Sequence, residues 1–519
     1  MNRNLLLQRL DDTRIWDVVI VGGGATGLGA AVDAAARGYR TLLLEQADFA
    51  KATSSRSTKL SHGGVRYLQQ GNLSLVFGAL HERGLMIRNA PHLVHPLNFI
   101  IPAYRWWEKA YYGVGLECYE LMAGRLSLGR SHVLSREAAL KALPTVRADG
   151  LRGGVSYHDG QFDDARLAVA LLRTFVDLGG TALNYFSVTG FIKEGGKVAG
   201  VHARDGETGE RHEIRARAVL NATGVFTDSV RRLDEPDAGE MLSVSQGAHF
   251  VLDRSFFPGT DALMIPKTED GRVLFAVPWN GHVVVGTTDV PTHRASLEPR
   301  ATDEEKEFLL HHANLYLDRK VTPQDVKSVF CGLRPLVKAS GAKNTAQLSR
   351  DHTIVVSPSG LVTITGGKWT TYRHMGEDAI DHVVKVAGIP HVPSPTRELR
   401  LRGWSEAPHA RVEGGNAYGS DAPAVAALAA SEAGLAALIH PSLPYQQAEV
   451  LWAARHEMAR TVEDVLARRT RSLLLDARAS IEAAPGVARL LARELGRDAA
   501  WEKAQADAYR DLASGYLMN

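Results

Sequence analysis

Three glycines at fixed spacing lie near the start of the chain. Gly22, Gly24 and Gly27 fit the pattern G-x-G-x-x-G and directly follow an apolar segment. Glycines in this pattern allow a tight turn, bring the backbone close to a pyrophosphate and let a helix pack against a strand. A second apolar segment, residues 41–44, ends in Glu45, whose carboxylate can accept a ribose hydroxyl. The spacing predicts a dinucleotide site.

A second group of polar residues follows at once. Residues 53–68, TSSRSTKLSHGGVRYL, carry six serine and threonine hydroxyls and four basic groups. A core segment would be apolar, and an ordinary surface loop has no use for so many hydrogen-bonding groups. The composition predicts a loop that holds a ligand.

The surrounding elements would position these residues. The pattern predicts a strand over 17–21, a helix over 28–37 whose N-terminus faces phosphates, and a strand over 41–44. Two further strands, 218–220 and 361–365, each lead into a glycine-containing turn. Glu45 disfavours NADP, and a single fingerprint favours tightly held FAD over a dissociating NAD.

Composition excludes several classes of protein. The 519 residues are 45% apolar and 23% charged with net charge +2, which gives no strong field for nucleic acid. Cys118 and Cys331 are far apart, so neither a disulfide framework nor a metal site is expected. No signal peptide is expected, and no apolar window is long enough for a transmembrane helix.

Several longer motifs carry a family resemblance. They occur in order over residues 14–385: GGGATG, TSSRSTKLSHGGVRYL, PHL, YHDGQFDDAR, NATGVFTDSV, GTTD, GLRPL, SRDH and GGKWTTYR. The chain resembles the FAD-dependent glycerol-3-phosphate dehydrogenases. Arg56 and residues 105–124 are closest to the mitochondrial type. We identify neither a transit peptide nor a D-x-[DN]-x-[DN]-G calcium-binding loop, so a bacterial-type enzyme without calcium control is expected.

The resemblance implies a fold and a reaction. The expected fold is α/β and D-amino-acid-oxidase-like: a Rossmann-like FAD-binding domain with an inserted antiparallel substrate sheet, plus an all-α C-terminal domain. The expected reaction oxidises sn-glycerol 3-phosphate to dihydroxyacetone phosphate by hydride transfer to FAD, with ubiquinone or menaquinone as acceptor. The expected FAD-binding segments are 1–95, 150–243 and 345–390; the substrate region is 96–149 with 244–344; the helical domain is 396–519.

The resemblance also implies the site residues. His249, Arg334 and Lys368 are the expected catalytic residues, and Arg66, Tyr67 and Arg350 join them in binding substrate. His249 is the first choice for the base and His62 the second, while an arginine that stabilises a developing alkoxide is the alternative. The expected FAD contacts are Gly22, Gly24, Gly27, Glu45, Thr53, Ser54, Ser55, Lys59, His62, Gly63, Ala222, Thr223, Gly224, Gly366, Gly367 and Thr370.

Residues 105–124 have two interpretations. Their Trp, Tyr and basic residues suit a bilayer interface, which would place the protein peripherally on the cytoplasmic side of the inner membrane. The alternative is packing against the substrate sheet. A homodimer is compatible with the sequence.

Other functions also stay open. They are a glycerol-3-phosphate oxidase that uses oxygen, an amine or amino-acid oxidase of the same fold, and a redox-sensing flavoprotein without turnover.

Overall fold

A computed structural model describes residues 1–12, 14–64, 73–268, 271–338, 351–406 and 417–518. Three predicted substrate-binding residues, Arg66, Tyr67 and Arg350, lie outside these ranges. The described chain forms two mixed sheets and a group of C-terminal helices.

The first sheet has eight strands and a parallel centre. Trp16–Val21 pairs in parallel with two neighbours, Thr41–Leu44 and Arg211–Asn221. Trp16–Val21 and Thr41–Leu44 are mostly apolar and buried, as expected for a parallel sheet covered on both faces. Arg211–Asn221 alternates between exposed polar and buried residues at first and is buried over its last four residues. Across the sheet the order is His352–Val356, Val362–Gly366, Arg211–Asn221, Trp16–Val21, Thr41–Leu44 and Thr181–Leu183, with Phe186–Glu194 and Lys197–Asp205 attached through Arg211–Asn221.

The second sheet has ten strands and is mainly antiparallel. Its order is Val290–Thr292, Leu242–Asp253, His282–Gly286, Leu274–Trp279, Ala262–Ile265, Val94–Ala103, Gly153–Phe162 and Leu60–Ser61, with Val326–Val337 beside Leu242–Asp253 and His132–Leu134 beside Gly153–Phe162.

Two strands that the sequence analysis placed in FAD-binding segments pair within the second sheet. Gly153–Phe162 was assigned to the FAD-binding segment 150–243, but it pairs along its whole length with Val94–Ala103 in the second sheet. Leu60–Ser61, inside the predicted segment 1–95, pairs there too. A strand's own apolar pattern predicts that it is buried but does not identify its partner, so these assignments could not be made from the sequence.

Fifteen described helices complete the fold. They are Arg3–Leu7, Ala25–Ala36, Leu73–Asn89, Glu108–Ala123, Arg136–Ala142, Asp164–Asp177, Thr227–Asp234, Asp303–Tyr316, Tyr372–Ala387, Ala422–Ser431, Gln447–Glu457, the π-helix Asp464–Arg469, Ser472–Leu475, Ala477–Leu495 and Ala499–Ser514. The last helices share an apolar core with Val251 and Phe330 of the second sheet. Within the described ranges, no helix has both the length and the apolar composition needed to cross a lipid bilayer. The predicted architecture, an α/β fold with an all-α C-terminal region, is confirmed.

Candidate active site

A single large cavity connects the glycine-rich turns of the first sheet to polar side chains of the second. Its volume is about 840 Å³, within the range of small-molecule and cofactor sites. Gly22 and Glu45 line one part of it, and His249, Arg334 and Lys368 line another. The structure therefore brings the predicted catalytic residues together in the space that the nucleotide fingerprint opens onto.

The fingerprint glycines are required by close backbone contacts. Gly22 has φ +109°, and a Cβ there would lie 2.6 Å from the carbonyl oxygen of Ala222. A Cβ on Gly27 would lie 1.8 Å from the carbonyl oxygen of Gly22, so Gly27 serves the turn without lining the cavity. Gly24 is the N-cap of the helix Ala25–Ala36, which therefore begins earlier than the predicted residue 28. The helix N-terminus opens at the turn, where it favours phosphate.

Glu45 lies at the end of the second strand, as the fingerprint predicts. Its carboxylate accepts hydrogen bonds from the backbone N–H of Gly23 at 2.7 Å and of Ala47 at 2.9 Å. Burial raises the pKa of this carboxyl. Glu45 therefore holds the fingerprint turn at Gly23 and the turn that follows its own strand at Ala47, and it lines the cavity.

The polar loop is tied to both sides of the cavity. The Ser54 hydroxyl accepts from the backbone N–H of Ala25 at 2.9 Å, and Trp369 Nε1 donates to the Ser54 carbonyl at 2.9 Å. Thr53 Oγ1 donates to the Leu333 carbonyl at 2.6 Å. These bonds join the helix N-terminus, the loop and the second sheet, and both Thr53 and Ser54 line the cavity.

Three predicted FAD contacts in this loop, Ser55, Lys59 and Gly63, are not among the residues that line the cavity. Lys59 is fully buried behind the lining, where Nζ donates to Asp164 Oδ2 at 2.7 Å and to the Ser55 carbonyl at 2.9 Å. Ser55 is buried with it, and the N–H of Gly63 donates to the Tyr119 hydroxyl at 2.8 Å. The resemblance assigned these residues to the cofactor, and in the structure their polar groups hold the loop.

Two other glycine turns complete the cradle. Gly366 and Gly367 have φ +80° and +74°, and a Cβ on Gly367 would lie 2.4 Å from Met375 Sδ. They line the cavity together with Ala222, Thr223, Gly224, His62 and Thr370. The Thr370 hydroxyl accepts from the backbone N–H of His62 at 3.2 Å, so this turn is joined to the polar loop. The glycine turns, the helix N-terminus and the cavity volume fit a dinucleotide cofactor.

His249 lies on the strand Leu242–Asp253, paired with Phe330 of the adjacent strand. Its ring stacks on Phe330 with centroids 4.8 Å apart, and Nε2 lies 2.9 Å from Thr58 Oγ1. Desolvation lowers the pKa of His249 well below its ordinary value, and the cations of Arg334 and Lys59 add to the effect. The ring is therefore neutral at neutral pH and able to accept a proton.

Arg334 lies on the strand Val326–Val337, which pairs with the strand that carries His249. The register places Arg334 opposite Ser245, and Ser245 and His249 point to the same face because side chains alternate along a strand. The side chains of Arg334 and His249 therefore share one face of the sheet. Nη2 donates to Thr287 Oγ1 at 2.9 Å and to the Thr288 carbonyl at 3.2 Å. A Cβ on Gly247 would lie 2.2 Å from Nη2, so glycine leaves room for the guanidinium.

Sequence reasoning missed the residues that orient Arg334. Thr287, Thr288 and Asp289 form the motif GTTD, which contributed to the resemblance but received no role. Asp289 Oδ1 lies 3.4 Å from Nη1 of Arg334, and all three residues line the cavity. A Thr-Thr-Asp sequence at the end of a strand was the available signal.

Two family models match the chain. The model described as FAD dependent oxidoreductase matches residues 17–373, and the one described as C-terminal domain of alpha-glycerophosphate oxidase matches residues 402–504.

Curated relatives span nearly the whole chain. The mitochondrial glycerol-3-phosphate dehydrogenase of Homo sapiens is 40% identical over 96% of this chain and 73% of its own length. A probable mitochondrial glycerol-3-phosphate dehydrogenase of Caenorhabditis elegans is 40% identical over 98% of this chain and 74% of its own length.

A solved structure has the same architecture. The glycerol-3-phosphate dehydrogenase of Bacillus halodurans, solved in complex with FAD, is 30% identical and superposes with a TM-score of 0.81, covering 99% of this chain and 97% of the other. With two matching family models and relatives of this identity and coverage, the chain belongs to the family of FAD-dependent glycerol-3-phosphate dehydrogenases.

Proposed function

We propose that the protein oxidises the C2 hydroxyl of sn-glycerol 3-phosphate to give dihydroxyacetone phosphate. The observation that carries this proposal is the meeting of His249, Arg334 and Lys368 with the glycine turns in one cavity. FAD, when bound, supplies the hydride acceptor. Gly22, Gly24, Ser54, Thr223 and Gly366 are among the cavity residues that would hold it.

Two cations suit the phosphate ester. Arg334 presents a planar guanidinium, oriented by Thr287 and the Thr288 carbonyl, and such a fork binds phosphate oxygens bidentately. Lys368 follows the Gly366–Gly367 turn in extended backbone and adds a point charge in the same cavity. The alternative hypothesis is an amino-acid oxidase. An amino-acid substrate has a single carboxylate, and one cation would be enough to balance its charge.

His249 is the proposed base. It is neutral, it lies on the same strand face as Arg334, and its Nε2 edge faces Thr58 at the cavity lining. Arg334 holds positive charge next to it, which would stabilise an oxyanion on the reacting carbon as the proton leaves. His62, the second choice for the base, lines the cavity near Thr370.

The proposed electron acceptor is a membrane quinone, and helix Glu108–Ala123 supports it. Residues at heptad-like spacing form a solvent-exposed stripe: Trp107, Tyr111, Val114, Cys118 and Leu121. Val114 is 64% and Leu121 81% exposed, and Trp106, just before the helix, is 80% exposed. An apolar face turned outward with tryptophan and tyrosine at one end is typical of helices that lie in the bilayer interface.

This geometry favours one of the two interpretations of residues 105–124. Leu116 and Tyr119 on the opposite face pack against the second sheet, so the helix fulfils the packing role with one face only. The exposed stripe on the other face is then available to contact a lipid surface. We place the protein on the cytoplasmic face of the inner membrane, bound peripherally.

Anaerobic stopped-flow reduction of the purified holoenzyme tests the substrate. We expect sn-glycerol 3-phosphate to bleach the flavin absorbance. Glycerol lacks the phosphate that Arg334 and Lys368 would bind, so it should leave the absorbance unchanged. Bleaching by an amino acid would contradict the proposal. Failure of sn-glycerol 3-phosphate to bleach the flavin would contradict it as well.

A second mixing step tests the acceptor. The reduced enzyme is mixed with a water-soluble ubiquinone analogue or with oxygen-saturated buffer. Rapid reoxidation by the quinone and slow reoxidation by oxygen are expected, and the reverse order would identify an oxidase.

A further inference from the structure

Thr58 and His249 both line the cavity, and Thr58 is the more exposed of the two. The hydroxyl oxygen of Thr58 lies 2.9 Å from His249 Nε2 and is the hydrogen-bond partner that the described residues provide for this ring. Thr58 is half-buried and lines the cavity, whereas His249 is only 2% exposed. The donor or acceptor role of each atom depends on the histidine tautomer.

The rest of the imidazole is enclosed. Phe330 covers one face, and the ring edge at Cδ2 approaches Gly286 so closely that a Cβ there would lie 2.1 Å from it. Nδ1 is buried and has no hydrogen-bond partner among the described residues. Nε2 is therefore the nitrogen through which His249 exchanges a proton with the cavity, and the Thr58 hydroxyl is hydrogen-bonded to it.

We propose that Thr58 is a catalytic residue that relays the substrate proton from the cavity to His249. This inference rests on the proposed function. It requires the Nδ1–H tautomer, in which the Nε2 lone pair accepts a hydrogen bond from the Thr58 hydroxyl.

The step is balanced in protons and electrons. The C2 hydroxyl of the substrate gives its proton to Thr58 Oγ1, and Thr58 gives its own proton to His249 Nε2. With FAD bound, the C2–H bond would break as hydride leaves to the cofactor, and the C2–O bond would become a carbonyl. Thr58 ends with one proton, as it began, and His249 carries the positive charge.

The loop that carries Thr58 is held from behind. Both neighbours of Thr58 bind the same buried carboxylate: the Ser57 hydroxyl and Lys59 Nζ donate to Asp164 Oδ2, each at 2.7 Å. Arg471 from the C-terminal helices donates to Asp164 Oδ1 at 2.8 Å. Lys59 has φ +65°, a conformation that costs free energy for a residue with a side chain and is stable only where contacts fix it. The hydroxyl is thus fixed in place before substrate arrives.

Conservative substitutions of Thr58 test the relay. Thr58→Val keeps the shape and removes the hydroxyl, Thr58→Ser keeps the hydroxyl, and Thr189→Val removes an exposed hydroxyl on another strand as the matched control. We expect Thr58→Val to slow flavin reduction by about 10²- to 10⁴-fold, the usual contribution of proton transfer, with a much smaller change in the substrate concentration for half-maximal rate. Thr58→Ser and Thr189→Val should stay within about threefold of the wild type, well under that contribution.

A double mutant separates relay from packing. If Thr58 acts through His249, then Thr58→Val combined with His249→Asn should be no slower than His249→Asn alone. Additive losses would overturn the relay, and so would an unaffected Thr58→Val.

A spectroscopic measurement does not depend on turnover. In protein labelled with ¹⁵N-histidine, the His249 signals are those absent from His249→Asn. We expect the Nδ1–H tautomer in the wild type and in Thr58→Ser, and a changed Nε2 shift in Thr58→Val. An Nε2–H tautomer in the wild type would overturn the relay while leaving the proposed function intact. A wild-type flavin that substrate does not reduce would instead overturn the proposed function, and the relay with it.

Discussion

Lys59 Nζ lies 2.7 Å from Asp164 Oδ2, and neither side chain is accessible to solvent. The same carboxylate binds Arg471, so one buried anion is paired with two buried cations. Desolvation lowers the pKa of Lys59 to about 8, and the Asp164 carboxylate opposes this shift. Asp164 begins a helix, Lys59 belongs to the polar loop and Arg471 comes from the C-terminal region. The cluster therefore ties the polar loop of the cavity to a helix of the first domain and to the C-terminal helices.

Neutralising Asp164 should destabilise the protein severely. Asp164→Asn keeps the volume but leaves Lys59 and Arg471 without their counter-ion, and breaking a buried pair costs about 3–5 kcal/mol. The matched control is Asp507→Asn, which breaks exposed, solvent-screened pairs with Lys503 and Arg510 and should change stability far less. Urea and thermal unfolding of both variants measure the difference, and equal midpoints would contradict the prediction.

The pH dependence of flavin reduction should follow the lowered pKa of His249. A neutral base is required, so the rate should stay constant as pH falls through the ordinary histidine value of 6.5 and decline only at lower pH, where His249 gains a proton. The unfolded chain binds this proton at a higher pH than the folded protein does, so His249 also lowers stability as pH falls below 6.5. Single-turnover reduction across pH measures the rate, and a midpoint at or above 6.5 would contradict the assignment.

Replacing Arg334 by lysine should weaken substrate binding although the charge is retained. Lysine cannot keep the bonds to Thr287 and the Thr288 carbonyl while binding phosphate as a fork. Loss of one charged hydrogen bond of about 1.5–3 kcal/mol corresponds to a roughly 10- to 150-fold higher Kd. Substrate titration of the reduction rate measures it, with Arg215→Lys, in an exposed pair with Glu194, as the control. An Arg334→Lys enzyme with normal substrate affinity would show that another cation binds the phosphate.

Local patterns were sufficient to predict much of the fold. The glycine fingerprint and the strand over residues 41–44 depend on neighbours in sequence, and the structure has them where predicted. Sheet membership depends on partners far along the chain, so the sequence did not show that Gly153–Phe162 pairs with Val94–Ala103 in the second sheet.

The same distinction applies to the site. His249 and Arg334 were identified from motifs, and strand register brings them to one face. Lys59 was assigned to the cofactor because its segment resembles the family's flavin-binding segment, and the sequence gave no sign that Asp164 and Arg471 would enclose it. Thr58 was one hydroxyl among six, and only the three-dimensional contact with His249 distinguishes it.

Alanine at Gly27 should abolish tight FAD binding. The added Cβ would lie 1.8 Å from the Gly22 carbonyl oxygen, so the fingerprint turn and the start of the helix must separate. Gly78→Ala is the control, because a Cβ there meets nothing within 4 Å and alanine favours the helix by up to about 1 kcal/mol. Flavin absorbance per protein and the melting temperature report the outcome. Full flavin content in Gly27→Ala would show that the turn is not the cofactor cradle.

A charge in the exposed stripe should separate membrane binding from chemistry. Leu121→Glu places a carboxylate on a residue that is 81% exposed and distant in sequence from the cavity residues, so the fold should tolerate it. We expect sedimentation with anionic lipid vesicles to fall several-fold and activity with vesicle-embedded quinone to fall with it, while flavin reduction by substrate stays unchanged. Leu438→Glu, on an exposed leucine of the C-terminal region, is the matched control and should bind vesicles normally. Equal vesicle binding by both variants would mean that the stripe is not the membrane contact, and quinone access would then have to be sought on another surface.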